Sequence, residues 1–222
     1  MTQGAEPEVS FMQQAGQRLR WPVLLVVLIW IIQGFQYLLN GQLGALGIYP
    51  HHISGLKGIV FAPLIHGSWG HLISNTVPLF VLTLILAVFY RRIAFISFVL
   101  IYLGTGLAVW LFARPVYHIG ASGVVYGLLS FIFWSGVFRR NIRSIVLALI
   151  VTILYSGFIW GVLPLKEGIS WESHLYGAVV GILVAFLFRH AKDPDEEMRY
   201  SYEEEPDQEK RYFYNRDTFD HH

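Results

Sequence analysis

Gly120-Ala121-Ser122-Gly123-Val124-Val125-Tyr126-Gly127 opens an apolar run that continues to Phe138. It sets a serine among small residues at the head of a segment long enough to form a helix in a bilayer. Two readings of Ser122 stand side by side. A serine flanked by Gly and Ala can be a packing residue, because small side chains let membrane helices approach closely. It can equally be a nucleophile, if the chain supplies a base at the same place. The pattern G-x-S-G is not the nucleophile elbow G-x-S-x-G of soluble hydrolases, since residue 124 is Val.

The composition around this stretch favours a membrane. Of 222 residues 55% are hydrophobic and only 14% charged, against about 25% charged in a soluble domain. Eleven of the 15 acidic residues fall between Asp193 and Asp220, leaving Glu6, Glu8, Glu167 and Glu172 for the rest. No carboxylate is therefore expected within an apolar run, which excludes a buried acid relay. Cysteine is absent, so thiol chemistry and disulfides are excluded as well. His66 and His71 could ligate a metal, but no H-E-x-x-H and no acidic third ligand accompany them. No metal and no cofactor are expected, and no nucleic-acid partner is implied.

Six apolar runs, at about 22–39, 71–90, 93–112, 121–138, 144–161 and 172–189, each approach the roughly 20 residues of a spanning helix. The expected fold is an all-α polytopic membrane protein, a bundle of six transmembrane helices over 21–190. A cytoplasmic tail (1–20) precedes it and an acidic, disordered cytoplasmic tail (191–222) follows. With both termini inside, Arg18, Arg20, Arg91, Arg92, Arg139, Arg140, Arg143, Arg189 and Lys192 all fall on the cytoplasmic side. Only Lys57, Arg114 and Lys166 fall outside, as the positive-inside rule requires. Trp21, Trp69, Trp110, Trp160 and Trp171 fall at the expected interfaces. The outer loop 40–70 is too apolar for a solvated connector and is expected to lie in or on the outer leaflet. The outer loop near 162–171 carries Pro164 and Gly168 and is expected to be mobile. His51, His52 and His118 fall in loops and are expected to be solvated or interfacial.

Polar residues inside spanning helices are costly and are candidates for function. Asn75, Ser122 and His174 lie 16, 17 and 15 residues before the arginine that ends each run, Arg91, Arg139 and Arg189. At about 1.5 Å per residue, all three sit roughly 23–25 Å above the inner interface. One level for three polar residues suggests one site. His174 can serve as general base for Ser122. Asn75 and His71, one turn apart on one helix face, can donate to an oxyanion, together with the backbone N–H of Ser122. With no acid available, the pair is a dyad oriented by packing, and Tyr126 is placed to stack on His174.

These residues resemble the rhomboid intramembrane serine proteases of the six-helix bacterial type. The resemblance covers about residues 55–190. It rests on His66-Gly-Ser-Trp-Gly-His71-Leu-Ile-Ser-Asn75, on Gly120-Ala-Ser122-Gly123 with Tyr126, and on His174-Leu-Tyr-Gly177-Ala-Val-Val-Gly181. It implies Ser122 as nucleophile, His174 as base, His71 and Asn75 at the oxyanion hole, and a structural role for His66 under the first outer loop. Gly177 and Gly181 would let the sixth helix approach the fourth. Many relatives carry a Trp-Arg pair in the first outer loop; none occurs between residues 40 and 70. The implied protein is multi-pass in a bacterial plasma membrane and cleaves transmembrane protein substrates near the outer face. A non-catalytic rhomboid-like protein that binds transmembrane helices is the alternative, and it would be expected to lack the serine or the histidine. A small transporter would show matched inverted halves, and no such repeat is visible. The sequence is silent on the oligomeric state.

Overall fold

The computed structural model describes residues 11–164 and 170–191, so the acidic tail and the centre of the 162–171 loop lie outside the described residues. Helix α1 (Phe11–Leu38) starts well before the apolar run that forms its core and carries Pro22 within it. A short helix α2 (Gly58–Phe61) lies in the long loop that leads from α1 to α3. Helices α3 (Trp69–Phe89) and α4 (Ala94–Phe112) form a hairpin across the turn that holds Arg91 and Arg92. Then come α5 (Ser122–Arg139), α6 (Ile142–Tyr155) continued by a 3₁₀ segment (Ser156–Val162), and α7 (Trp171–Leu187). No strand occurs among the described residues; extended pairing is limited to one bridge between Ile48 and His118.

Five helical segments, Gly16–Leu38, Trp69–Phe89, Ala94–Phe112, Ser122–Arg139 and Ile142–Val162, are long and apolar enough to cross a membrane. Trp171–Leu187, at 17 residues, falls short of that length. Against the expectation of six, the described residues hold five segments of spanning length and one shorter apolar helix. Large apolar side chains such as Leu24, Phe35, Val77, Phe95, Ile153 and Leu183 stand exposed around the bundle. Apolar surface on this scale has no place in water, and the chain is an integral membrane protein.

Helix α5 is the axis of the bundle. Its apolar window is 56% buried, against 17% for the segment containing α6 at the periphery. Leu128, Phe131 and Ile132 of α5 pack with Leu79, Leu82 and Leu86 of α3 and Ile101 of α4, and Tyr90 meets Phe131 edge-on at 5.2 Å. Helices α5 and α7 come closer still. A Cβ on Gly177 would overlap the carbonyl oxygen of Gly123, and one on Gly181 would overlap that of Gly127. Only glycine leaves room for this backbone-to-backbone approach, which Ser130 Oγ reinforces by donating to the Ala178 carbonyl at 2.8 Å.

The long loop before α3 is tied down without a Trp-Arg pair. Ile48 and His118 exchange both backbone hydrogen bonds, at 3.0 and 2.9 Å. Trp110 Nε1 donates to the His52 carbonyl at 2.9 Å, His51 Nε2 meets the Leu111 carbonyl at 2.9 Å, and Tyr102 donates to the Val60 carbonyl. Gly58 sits against the backbone of Gly47 and Ile48 so closely that a Cβ would overlap it. The loop is therefore a folded cover held on α4, consistent with its apolar composition. His51, expected to be solvated or interfacial, is exposed and also uses its ring in this anchor.

Candidate active site

Ser122 is the first residue of α5, and two features of the chain place it there. Gly120 has φ +112°, a backbone state that side chains disfavour. A Cβ on it would also lie 2.5 Å from Cε1 of His71. The ring of His71 therefore covers Gly120, two residues before the serine. The amide of Gly120 donates to the Ala62 carbonyl at 2.9 Å and that of Ala121 to His66 Nε2 at 3.4 Å. His66 is fully buried and meets His71 edge-on at 5.0 Å. Burial, with the neighbouring His71 adding to it, pushes the His66 pKa down to about 4. The ring is then neutral, with its hydrogen on Nδ1 and Nε2 free to accept.

His174, in the first turn of α7, brings Nε2 to 2.8 Å from Ser122 Oγ. Its Nδ1 lies 2.7 Å from the carbonyl oxygen of Gly161 in the 3₁₀ segment. A carbonyl only accepts, so Nδ1 carries the hydrogen and Nε2 is left to accept from the serine hydroxyl. Tyr126, one turn below Ser122, stacks on the imidazole at 4.2 Å and 6°. Its hydroxyl donates to the Phe158 carbonyl at 2.7 Å. Packing alone was expected to orient His174; the Gly161 carbonyl does so as well. Gly161 itself has no room for a side chain, because a Cβ would overlap the Tyr126 hydroxyl.

On α3, His71 and Asn75 share a face. Asn75 is buried, and its Nδ2 donates to the His71 carbonyl at 2.9 Å. An amide nitrogen carries two hydrogens, so one remains for another acceptor. Ser68 caps this helix, accepting from the His71 amide at 3.1 Å, which fixes the turn carrying His71. Gly123 packs on Ser173, where a Cβ would lie 3.0 Å from its carbonyl oxygen. Ser122, His174, Tyr126, Gly120, Gly123, His66 and His71 thus converge where the ends of α3, α5 and α7 face one another, while Gly177 and Gly181 line the α5–α7 contact below them. Asn75 lies one turn further down α3, bonded within its own helix.

Two expectations are corrected here. His118 is 2% exposed, not solvated; its backbone bridge to Ile48 draws it inward. Glu172 is buried in the first turn of α7 and bonded to Arg114, so a carboxylate does lie inside an apolar helix. Its signal was available in Ser170-Trp-Glu-Ser173, a capping serine with an acidic first turn two residues before His174. The Gly161 carbonyl left no such signal, since any residue has one. Among the described residues no cluster of three His, Cys, Asp or Glu could hold a metal.

The rhomboid domain model matches residues 53–191 of the chain. The protein belongs to the rhomboid family. An uncharacterized protein of Mycobacterium tuberculosis is 36% identical over 190 residues, covering 78% of this chain and 79% of its own. One of Mycobacterium leprae is 32% identical over 200 residues, covering 83% and 77%. A Bacillus subtilis protein carrying the name "Putative rhomboid protease YdcA" is 25% identical over 140 residues, covering 59% and 66%. The match begins within the first outer loop and takes in α2 to α7.

Proposed function

We propose that this rhomboid-family protein is an intramembrane serine endopeptidase that cleaves transmembrane protein substrates near the outer face of the membrane. The observation that carries the reading is the 2.8 Å approach of His174 Nε2 to Ser122 Oγ, with the tautomer set by the Gly161 carbonyl. Ser122 Oγ attacks the scissile carbonyl while its proton passes to Nε2, and the imidazolium returns that proton to the leaving amine. Water then hydrolyses the acyl-enzyme with His174 again as base. The developing oxyanion is met by the second amide hydrogen of Asn75, the ring of His71 and the backbone N–H of Ser122, an unpaired amide at a helix start. A regular helix keeps its carbonyls bonded, so the substrate must unwind locally to be cut.

In this reading α7 crosses the membrane as a sixth helix, the termini are cytoplasmic, and the site opens outward in a bacterial plasma membrane. The test is labelling of the purified protein with a serine-directed fluorophosphonate, beside cleavage of a model transmembrane substrate in detergent. Wild type is expected to label and cleave, and Ser122→Ala and His174→Ala to lose more than about a thousandfold in cleavage. Retained cleavage by either variant overturns the mechanism. A wild type that binds transmembrane helices but neither labels nor cleaves is a non-catalytic rhomboid-like protein.

A further inference from the structure

Four residues with no part in the chemistry above meet at the outer ends of α5 and α7. Arg114 Nε lies 2.7 Å from Glu172 Oε1, with the arginine side chain 54% exposed and the glutamate 4%. The other carboxylate oxygen, Oε2, is buried and has no hydrogen-bond partner among the described residues. His118 Nε2 lies 3.1 Å from the Arg114 carbonyl, so that nitrogen carries the hydrogen and Nδ1 accepts. Ser170 Oγ, 2.6 Å away, must then donate to Nδ1, and Ser173 Oγ donates to Ser170 at 2.6 Å. Burial, the largest influence, lowers the His118 pKa, in keeping with a neutral ring. The bonds run in one direction from the cap of α7 to the loop before α5.

This cluster lies four residues from each member of the candidate pair: His118 precedes Ser122 by four, and Ser170 precedes His174 by four. Through its backbone, His118 also holds Ile48 of the first outer loop. A carboxylate buried this deeply is tolerated because a cation meets it, and removing one partner of such a pair leaves an uncompensated charge. Its presence beside the site calls for a reason other than stability, which apolar residues supply as well.

We propose that Arg114, His118, Ser170 and Glu172 form a positioning clamp that sets the distance between Ser122 and His174. The proposal rests on the hydrolytic reading above. None of the four touches the reacting atoms; they act through the first turns of α5 and α7. The geometry is sensitive, since about 1 Å of displacement can cost roughly a hundredfold in rate.

The experiment measures the rate of fluorophosphonate labelling at Ser122, with kcat and KM for a model transmembrane substrate, in wild type, Arg114→Gln, Arg114→Lys, Glu172→Gln and the double glutamine variant. Arg114→Gln is expected to label and turn over about a hundredfold more slowly with KM within about twofold, because the carboxylate is left without its cation. Arg114→Lys restores most of the rate, and adding Glu172→Gln to Arg114→Gln recovers at least about fivefold, the coupling expected of partners. Glu172→Gln alone leaves no orphan charge and is expected to slow labelling about tenfold; it carries the test should Arg114→Gln fail to insert. A labelled wild type with Glu172→Gln at the same rate overturns the clamp and leaves the protease reading intact. Losses that simply add in the double variant, or that fall on KM alone, also overturn it. A wild type that does not label at Ser122 overturns the protease reading, and with it the clamp.

Discussion

Gly161 contributes a carbonyl to His174 and a missing side chain to Tyr126. A methyl there would collide with the Tyr126 hydroxyl and press on His174 Nδ1, 3.2 Å from where it would sit. Gly161→Ala is therefore expected to lower kcat about a hundredfold while the protein still inserts; an unchanged kcat would mean the ring is held by something else. Asn75→Ala and His71→Ala remove the proposed oxyanion donors and should each lower kcat by about a hundredfold to a thousandfold with little change in KM. If both single variants and the double cleave at the wild-type rate, the hole lies elsewhere. His66 gives a pH prediction. Its folded pKa of about 4 lies below the ordinary 6.5, so the unfolded chain binds the extra proton first. Stability is then full above pH 6.5 and falls as the pH drops toward 4, by on the order of 3 kcal/mol. Thermal denaturation in detergent should show Tm falling through that window, with a shallower fall in His66→Gln. The candidates Ser122, His174, Asn75, His71 and Tyr126 stood out in the sequence because their side chains are chemically distinctive and sit at helical spacings. Gly161 did not, because a carbonyl carries no residue signature, and Glu172 was passed over because it stands at the edge of its apolar run.

Helix α7 depends on α5 for its place. The carbonyls of Gly123 and Gly127 occupy the space that side chains at 177 and 181 would need. Gly181→Leu lies two turns below His174 and touches no substrate, yet it should part the two helices. The expected result is an inserted protein whose cleavage rate falls at least about a hundredfold; full activity would show that this groove does not hold Ser122 and His174 together. The helices and this groove could be read from apolar runs and a G-x-x-x-G. The run at 144–161 reads as a single helix, although Ser156-Gly157 marks the point where the backbone tightens to 3₁₀. The loop at 40–70 stood out in the sequence as too apolar for a simple connector. Its anchoring is by backbone groups and by glycines in close contact, which a search for a charged motif does not find.

Orientation can be tested cleanly because the chain has no cysteine. Val116 is exposed in the loop between α4 and α5, and Ile142 is exposed at the start of α6. With the termini cytoplasmic, Val116→Cys should react with a membrane-impermeant maleimide in intact cells, and Ile142→Cys only after permeabilisation. The reverse pattern would invert the topology and put the proposed site on the other face. The positive-inside count is what predicts this orientation, and α7, at 17 residues, is marginal for a span. The two halves of the proposed active site also belong to different moments of synthesis. Ser122 and His174 are separated by 52 positions, so at roughly 5–20 residues per second the ribosome delivers the histidine about 3–10 seconds after the serine. During that interval the serine is already threaded into the bilayer with no base beside it. On the proposed function, a half-made copy is harmless to the helices around it, its own included, and becomes a protease only when α7 arrives.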